Sequence, residues 1–107
     1  MEFTLKTGNT SPALRCILRD GAGVAVPLAG AAVVFSMATQ KGVAVITRRP
    51  CVITAAAAGE VQMNWQAGDT ATPGAYKAEF EVTYAGGSVE SFPNEGYLVV
   101  RIAQALA

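Results

Sequence analysis

Apolar and polar residues alternate along most of this chain in short runs, broken by Gly, Pro and Asn. The clearest run spans residues 61–84. Val61, Met63 and Trp65 alternate with Gln62, Asn64 and Gln66, and Tyr76, Ala78, Phe80, Val82 and Tyr84 alternate with Lys77, Glu79, Glu81 and Thr83. A side-chain period of two with one apolar face marks strands that cover a core on one side. Gly68, Asp69, Pro73 and Gly74 lie between the two runs and suit a turn. The pattern predicts one β-hairpin at the centre of the core, with Trp65 and Phe80 filling the space between sheets.

The same alternation recurs on either side. Residues 3–6 predict an opening strand. Over residues 13–20, Leu14, Cys16 and Leu18 share one face, and Arg15 and Arg19 share the other with Ile17. Asp20-Gly21-Ala22-Gly23 is a turn signal, and Pro27 interrupts the short run 24–26, as suits an edge. Val33, Phe35 and Met37 predict an inward face over residues 31–38. Residues 43–47 and 51–54 predict one broken strand or two short ones around Arg48-Arg49-Pro50. The four alanines 55–58 are too few to nucleate a helix before Gly59, so a loop or a single helical turn is expected there. Ala85-Gly86-Gly87 predicts a tight turn into residues 88–92, and Pro93-Asn94-Glu95-Gly96 another. The last strand, residues 97–103, turns Leu98, Val100 and Ile102 inward and Tyr97 outward.

Seven or more short strands with no sustained helical period predict an all-β fold: a single immunoglobulin-like antiparallel β-sandwich of about seven to nine strands over residues 1–107. Asp69-Thr70-Ala71-Thr72-Pro73-Gly74-Ala75-Tyr76 resembles the tyrosine corner of such domains, in which the Tyr hydroxyl bonds back to upstream backbone. Ala78 stands where an antibody domain has its second Cys, so the antibody disulfide is absent. Phe35, Trp65, Tyr76 and Phe80 form the predicted structural core.

Composition narrows the function. The chain has 107 residues, 51% hydrophobic, enough for one domain with its own core. Eight basic residues balance eight acidic ones. No broad field therefore draws the chain to nucleic acid or to an anionic membrane. No stretch approaches the roughly 20 apolar residues of a membrane helix, and the opening residues carry no basic segment followed by an apolar run. The expectation is a soluble protein made in a cytoplasm. Cys16 and Cys51 admit either a disulfide or two buried thiols, and a reducing cytoplasm selects the thiols. The sequence has no His and no CxxC, so the usual zinc and iron sites lack their ligands, and neither a metal nor another cofactor is expected.

A longer ordered set of motifs carries a family resemblance. It comprises Gly8-Asn9 with Pro12, Leu18-Arg19-Asp20-Gly21, and Leu28-Ala29-Gly30-Ala31 leading into Val34-Phe35-Ser36-Met37. Gly59-Glu60-Val61 with Trp65, Gly68-Asp69-Thr70, residues 73–82, and Gly87 with Phe92-Pro93-Asn94 complete it. In this order the chain resembles the N-terminal immunoglobulin-like domain of the phage baseplate upper protein (BppU) family and related tail modules. The resemblance implies a non-enzymatic adaptor of a phage or prophage tail, assembled in the host cytoplasm and placed in the virion. Its implied partners are other tail or baseplate proteins, with a homo-oligomer as a second option.

The candidate chemistry is sparse. Asp69, Glu79 and Glu81 are the densest carboxylates, but Glu79 and Glu81 share their face with Lys77 and Thr83, as on an ordinary solvated face. Asp69 suits a bond to its own loop backbone, and one carboxylate falls short of the six or more oxygens calcium takes. Arg48 and Arg49 fit either an edge that blocks strand pairing or an interface. Without His no Ser or Thr has its base. Gly86-Gly87 lacks the following helix of a phosphate cradle. The candidate partner-contact residues are therefore Arg48, Arg49, Lys77, Glu79, Glu81 and Tyr97. The alternative to the tail adaptor is a carbohydrate or cell-surface binding module using Tyr97, Phe92 and Tyr84. A small hydrolase is a third reading.

Overall fold

The structure is a computed structural model that describes residues 2–106. It contains nine strands: β1 (Glu2–Lys6), β2 (Leu14–Ile17), β3 (Ala32–Thr39), β4 (Ala44–Pro50), β5 (Val52–Ala55), β6 (Glu60–Met63), β7 (Gly74–Thr83), β8 (Val89–Phe92) and β9 (Leu98–Ala103). Ala56–Ala58 forms a single 3-10 turn, stopped by Gly59 in the left-handed region at φ 66°. A side chain there would also meet backbone, since an added Cβ would stand 2.8 Å from the Val26 carbonyl oxygen.

Two sheets face each other. The larger runs β1-β9-β7-β3-β4, with β8 on the distal part of β7, and the smaller runs β2-β6-β5. This is the strand order of an immunoglobulin-like sandwich. One pair departs from the expected antiparallel pattern, because β1 runs parallel to β9, with Phe3 opposite Val100 and Leu5 opposite Ile102. The first strand thereby joins the larger sheet and, among the described residues, leaves β2 with β6 as its one strand partner.

The predicted hairpin over residues 61–84 does not form. β6 pairs with β2 and β5, whereas β7 pairs with β3, β8 and β9 in the opposite sheet. The polar stretch between them crosses from one sheet to the other instead of folding back. The broken strand around Arg48-Arg49-Pro50 is likewise two strands in different sheets, β4 and β5, joined at Cys51. Cys51 still donates its N–H to Val33 across the larger sheet at 2.9 Å.

Alternation predicts which faces are buried. Leu14, Cys16 and Leu18, then Val33, Phe35 and Met37, then Tyr76, Ala78, Phe80 and Val82, then Leu98, Val100 and Ile102 all belong to one core cluster. Trp65 stands at its centre. Its ring centroid lies 6.0 Å from Phe3 in a stacked arrangement and 6.3 Å from Phe35 edge-on, and Phe35 meets Phe80 at 5.1 Å. These spacings are those of favourable aromatic pairs.

The Tyr76 hydroxyl donates to the Thr72 carbonyl at 2.6 Å. The crossing loop is also tied to the opening segment, because the Thr70 hydroxyl donates to the Asn9 carbonyl and the Gly8 N–H to that of Thr70. Tyr76→Phe should lower the unfolding free energy by about 1 kcal/mol, through the lost bond and one unpaired carbonyl. Urea denaturation is the measurement; an unchanged midpoint would mean that the corner is held by packing alone.

Candidate functional site

The sequence groups Arg48 and Arg49 as one surface pair, but the structure separates them. Opposite Phe35 and Met37 of β3, β4 places Arg49 and Ile46, so that β4 carries one residue more than its partner over this interval. The extra residue is a β-bulge. At the bulge Arg48 adopts φ 49°, in the left-handed region, and its N–H donates to the Ser36 hydroxyl at 3.0 Å.

Ile46 and Arg49 therefore both turn inward, three residues apart. The Arg49 guanidinium forks onto Asp69, Nη2 to Oδ1 at 3.0 Å and Nη1 to Oδ2. Asp69 also accepts the Gln66 N–H at 2.7 Å. The two side chains are 17% and 8% exposed. This planar two-bond pairing ties β4 to the crossing loop. The sequence reading offers Arg49 as a partner contact; in the structure its side chain is mostly buried and paired within the fold.

The other candidates lie together on the outer face of the larger sheet. Arg48 donates to Glu81 at 2.6 Å, bridging β4 and β7 over β3. Lys77 sits on the same strand four positions back, with its ammonium 5.1 Å from the centroid of the Tyr97 ring. That is within reach of a cation–π contact. Tyr97 is 52% exposed. A shallow depression of about 330 Å³ beside it is lined by Ser36, Ala38, Thr47, Lys77 and Glu79. The face therefore presents the half-exposed Tyr97 ring among paired and unlike charges.

The aromatics proposed as a glycan platform do not assemble. Phe92 is buried in the core, opposite Phe80. The Tyr84 hydroxyl donates to Glu90 at 2.7 Å, and burial, then the bond to Glu90 and its negative charge, push its pKa up to about 12. Tyr97 alone of the three remains open.

Among the described residues no disulfide is formed, and no group of three or more His, Cys, Asp or Glu is placed to hold a metal ion. Burial pushes the Cys51 thiol up to about 12, against the opposing charge of Arg49. A rise from 9.0 to about 12 leaves roughly a thousandfold less thiolate at neutral pH. Iodoacetamide at pH 8 should thus alkylate Cys51 at least about a hundredfold more slowly in the native chain than in urea. Peptide mass spectrometry reads this, and equal rates would refute the burial.

No family model and no curated protein matches the sequence. Among solved structures, the chain is similar to CopC from Methylosinus trichosporium OB3b, with a TM-score of 0.58 and 13% identity over 99% of this chain and 87% of that one. At that identity the likeness bears on the fold, a β-sandwich in both.

Proposed function

We propose that this protein is a non-enzymatic structural adaptor of a bacteriophage or prophage tail, acting through protein–protein contacts in the baseplate or tail tip. The placement in a tail rests on the ordered sequence motifs. The mode of action rests on the outer face of the larger sheet, where Lys77 supports a half-exposed Tyr97 beside Glu79 and the Arg48–Glu81 pair. Tyr and Arg are enriched where protein interfaces concentrate their energy. A flat sheet face with one ring and balanced charge suits a protein surface better than a cleft substrate.

The test is co-expression with the products of the neighbouring genes, followed by affinity purification and light scattering. A complex of fixed stoichiometry is expected, weakened roughly tenfold or more when Lys77→Glu and Tyr97→Ala are combined. A chain that stays monomeric at high concentration and captures none of those proteins would defeat the reading. An enzymatic operon around the gene would do the same.

A further inference from the structure

Among the described residues, β2 at the end of the smaller sheet pairs with a strand on one side only, β6. The Leu18 N–H donates to the Gly59 carbonyl and the Leu18 carbonyl accepts from Val26, both on the β6 side. In an antiparallel ladder successive residues aim their main-chain groups to opposite sides. The main-chain groups of Leu14, Cys16 and Leu18 therefore face β6, and the amides and carbonyls of Arg15, Ile17 and Arg19 aim away from it along the outer edge, where the Ile17 carbonyl accepts from the Cys16 thiol at 3.7 Å. At an edge of the larger sheet, by contrast, β4 has its bulge and ends at Pro50.

Directly beside the β2 edge, a mainly apolar groove of about 300 Å³ opens between the sheets, floored by Leu18, Phe80 and Leu98 and walled by Phe92 and Pro93, with Glu95 and Tyr97 also lining it. On the outer face of the same strand stand Arg15, Ile17 and Arg19, with Ile17 38% exposed. The nearest carboxylate across the ladder, Glu60, accepts from the Thr54 hydroxyl at 2.7 Å.

We infer that the β2 edge is a docking site for an extended segment of a partner protein that adds as a fourth strand to the smaller sheet. Its side chains alternate between apolar and acidic. Strand addition takes its affinity from main-chain hydrogen bonds and its specificity from pockets for alternate side chains. Inward-pointing residues of the added strand enter the groove, and outward-pointing ones lie over Arg15 and Arg19. The same two arginines disfavour a second copy of this chain as the occupant. An antiparallel β2–β2 pair centred on Ile17 would set Arg15 against Arg19 of the other copy, and like charges directly opposite destabilise a ladder. The inference concerns the β2 edge, whose groove Tyr97 also borders, and holds whatever particle the protein belongs to.

The probe is an end-capped synthetic peptide of about ten residues alternating Val and Glu, the upper end of ordinary strand length, titrated into the isotopically labelled chain. Expected are saturable amide shifts centred on Arg15, Ile17 and Arg19 and along residues 92–98. A Val–Lys peptide should bind roughly tenfold more weakly or worse, and Arg15→Glu combined with Arg19→Glu should invert that preference. A Val–Glu peptide N-methylated at alternate residues, which cannot complete the ladder, should not bind. Four results would each overturn the inference: no saturable binding of the Val–Glu peptide at millimolar concentration, equal binding of the methylated peptide, an unchanged preference in the double variant, or a concentration-dependent dimer of the chain alone that protects the β2 amides.

Discussion

Replacing Trp65 by Ala should lower the unfolding free energy by about 3–5 kcal/mol, the usual cost of emptying a large aromatic site in a core. The indole touches Phe3 of β1 and Phe35 of β3 and stands just past the end of β6. Its loss would open a void where both sheets and the first strand converge. Trp65→Phe should cost much less, about 1–2 kcal/mol. The reason lies in one atom: the Trp65 Nε1 is buried and makes no hydrogen bond among the described residues. An unpaired buried donor is itself unfavourable, so Phe removes volume and that burden together. Chemical denaturation of the two variants checks both values, and equal losses would mean that a phenyl ring does not refill the site.

Asp69→Ala is expected to be about as damaging, at roughly 3–5 kcal/mol, because it leaves the Arg49 guanidinium without its counter-charge in a mostly buried position. It also removes the acceptor of the Gln66 N–H. The lost charge partner should dominate. If so, removing both charges with Arg49→Met and Asp69→Leu should recover much of the loss, since apolar replacements of similar volume often match a buried ion pair. A double-mutant cycle by urea denaturation measures the coupling. Additive single-site losses would show that Arg49 and Asp69 act separately and that the pairing carries little energy.

Asp69 shows how far local reading reaches. Its bond to the backbone of its own loop follows from residue type and turn context, because a short acidic side chain three residues from Gln66 can close on that N–H without help from the rest of the fold. The partner across the sandwich does not follow. Arg49 lies twenty residues away in sequence, beside another arginine of the same chemistry. Adjacent strand residues face opposite sides, so one of the pair had to turn inward. Simple alternation from the buried Ile46 would have chosen Arg48. The one-residue bulge at Arg48 reverses that choice.

The central run 61–84 divides in the same way. Its alternation determined by itself that Val61, Met63, Trp65, Tyr76, Ala78, Phe80 and Val82 point to a core, because burial of every second side chain is a local property of an extended backbone. The corner loop likewise placed the Tyr76 hydroxyl over backbone four residues upstream. Strand pairing was beyond it. A run with one apolar face satisfies its ladder equally well beside the next strand or across a sandwich, and only packing the whole chain sends β6 to β2 and β5 and β7 to the opposite sheet. The same long-range choice carries β1 to β9, and that is what leaves the edge of β2 open.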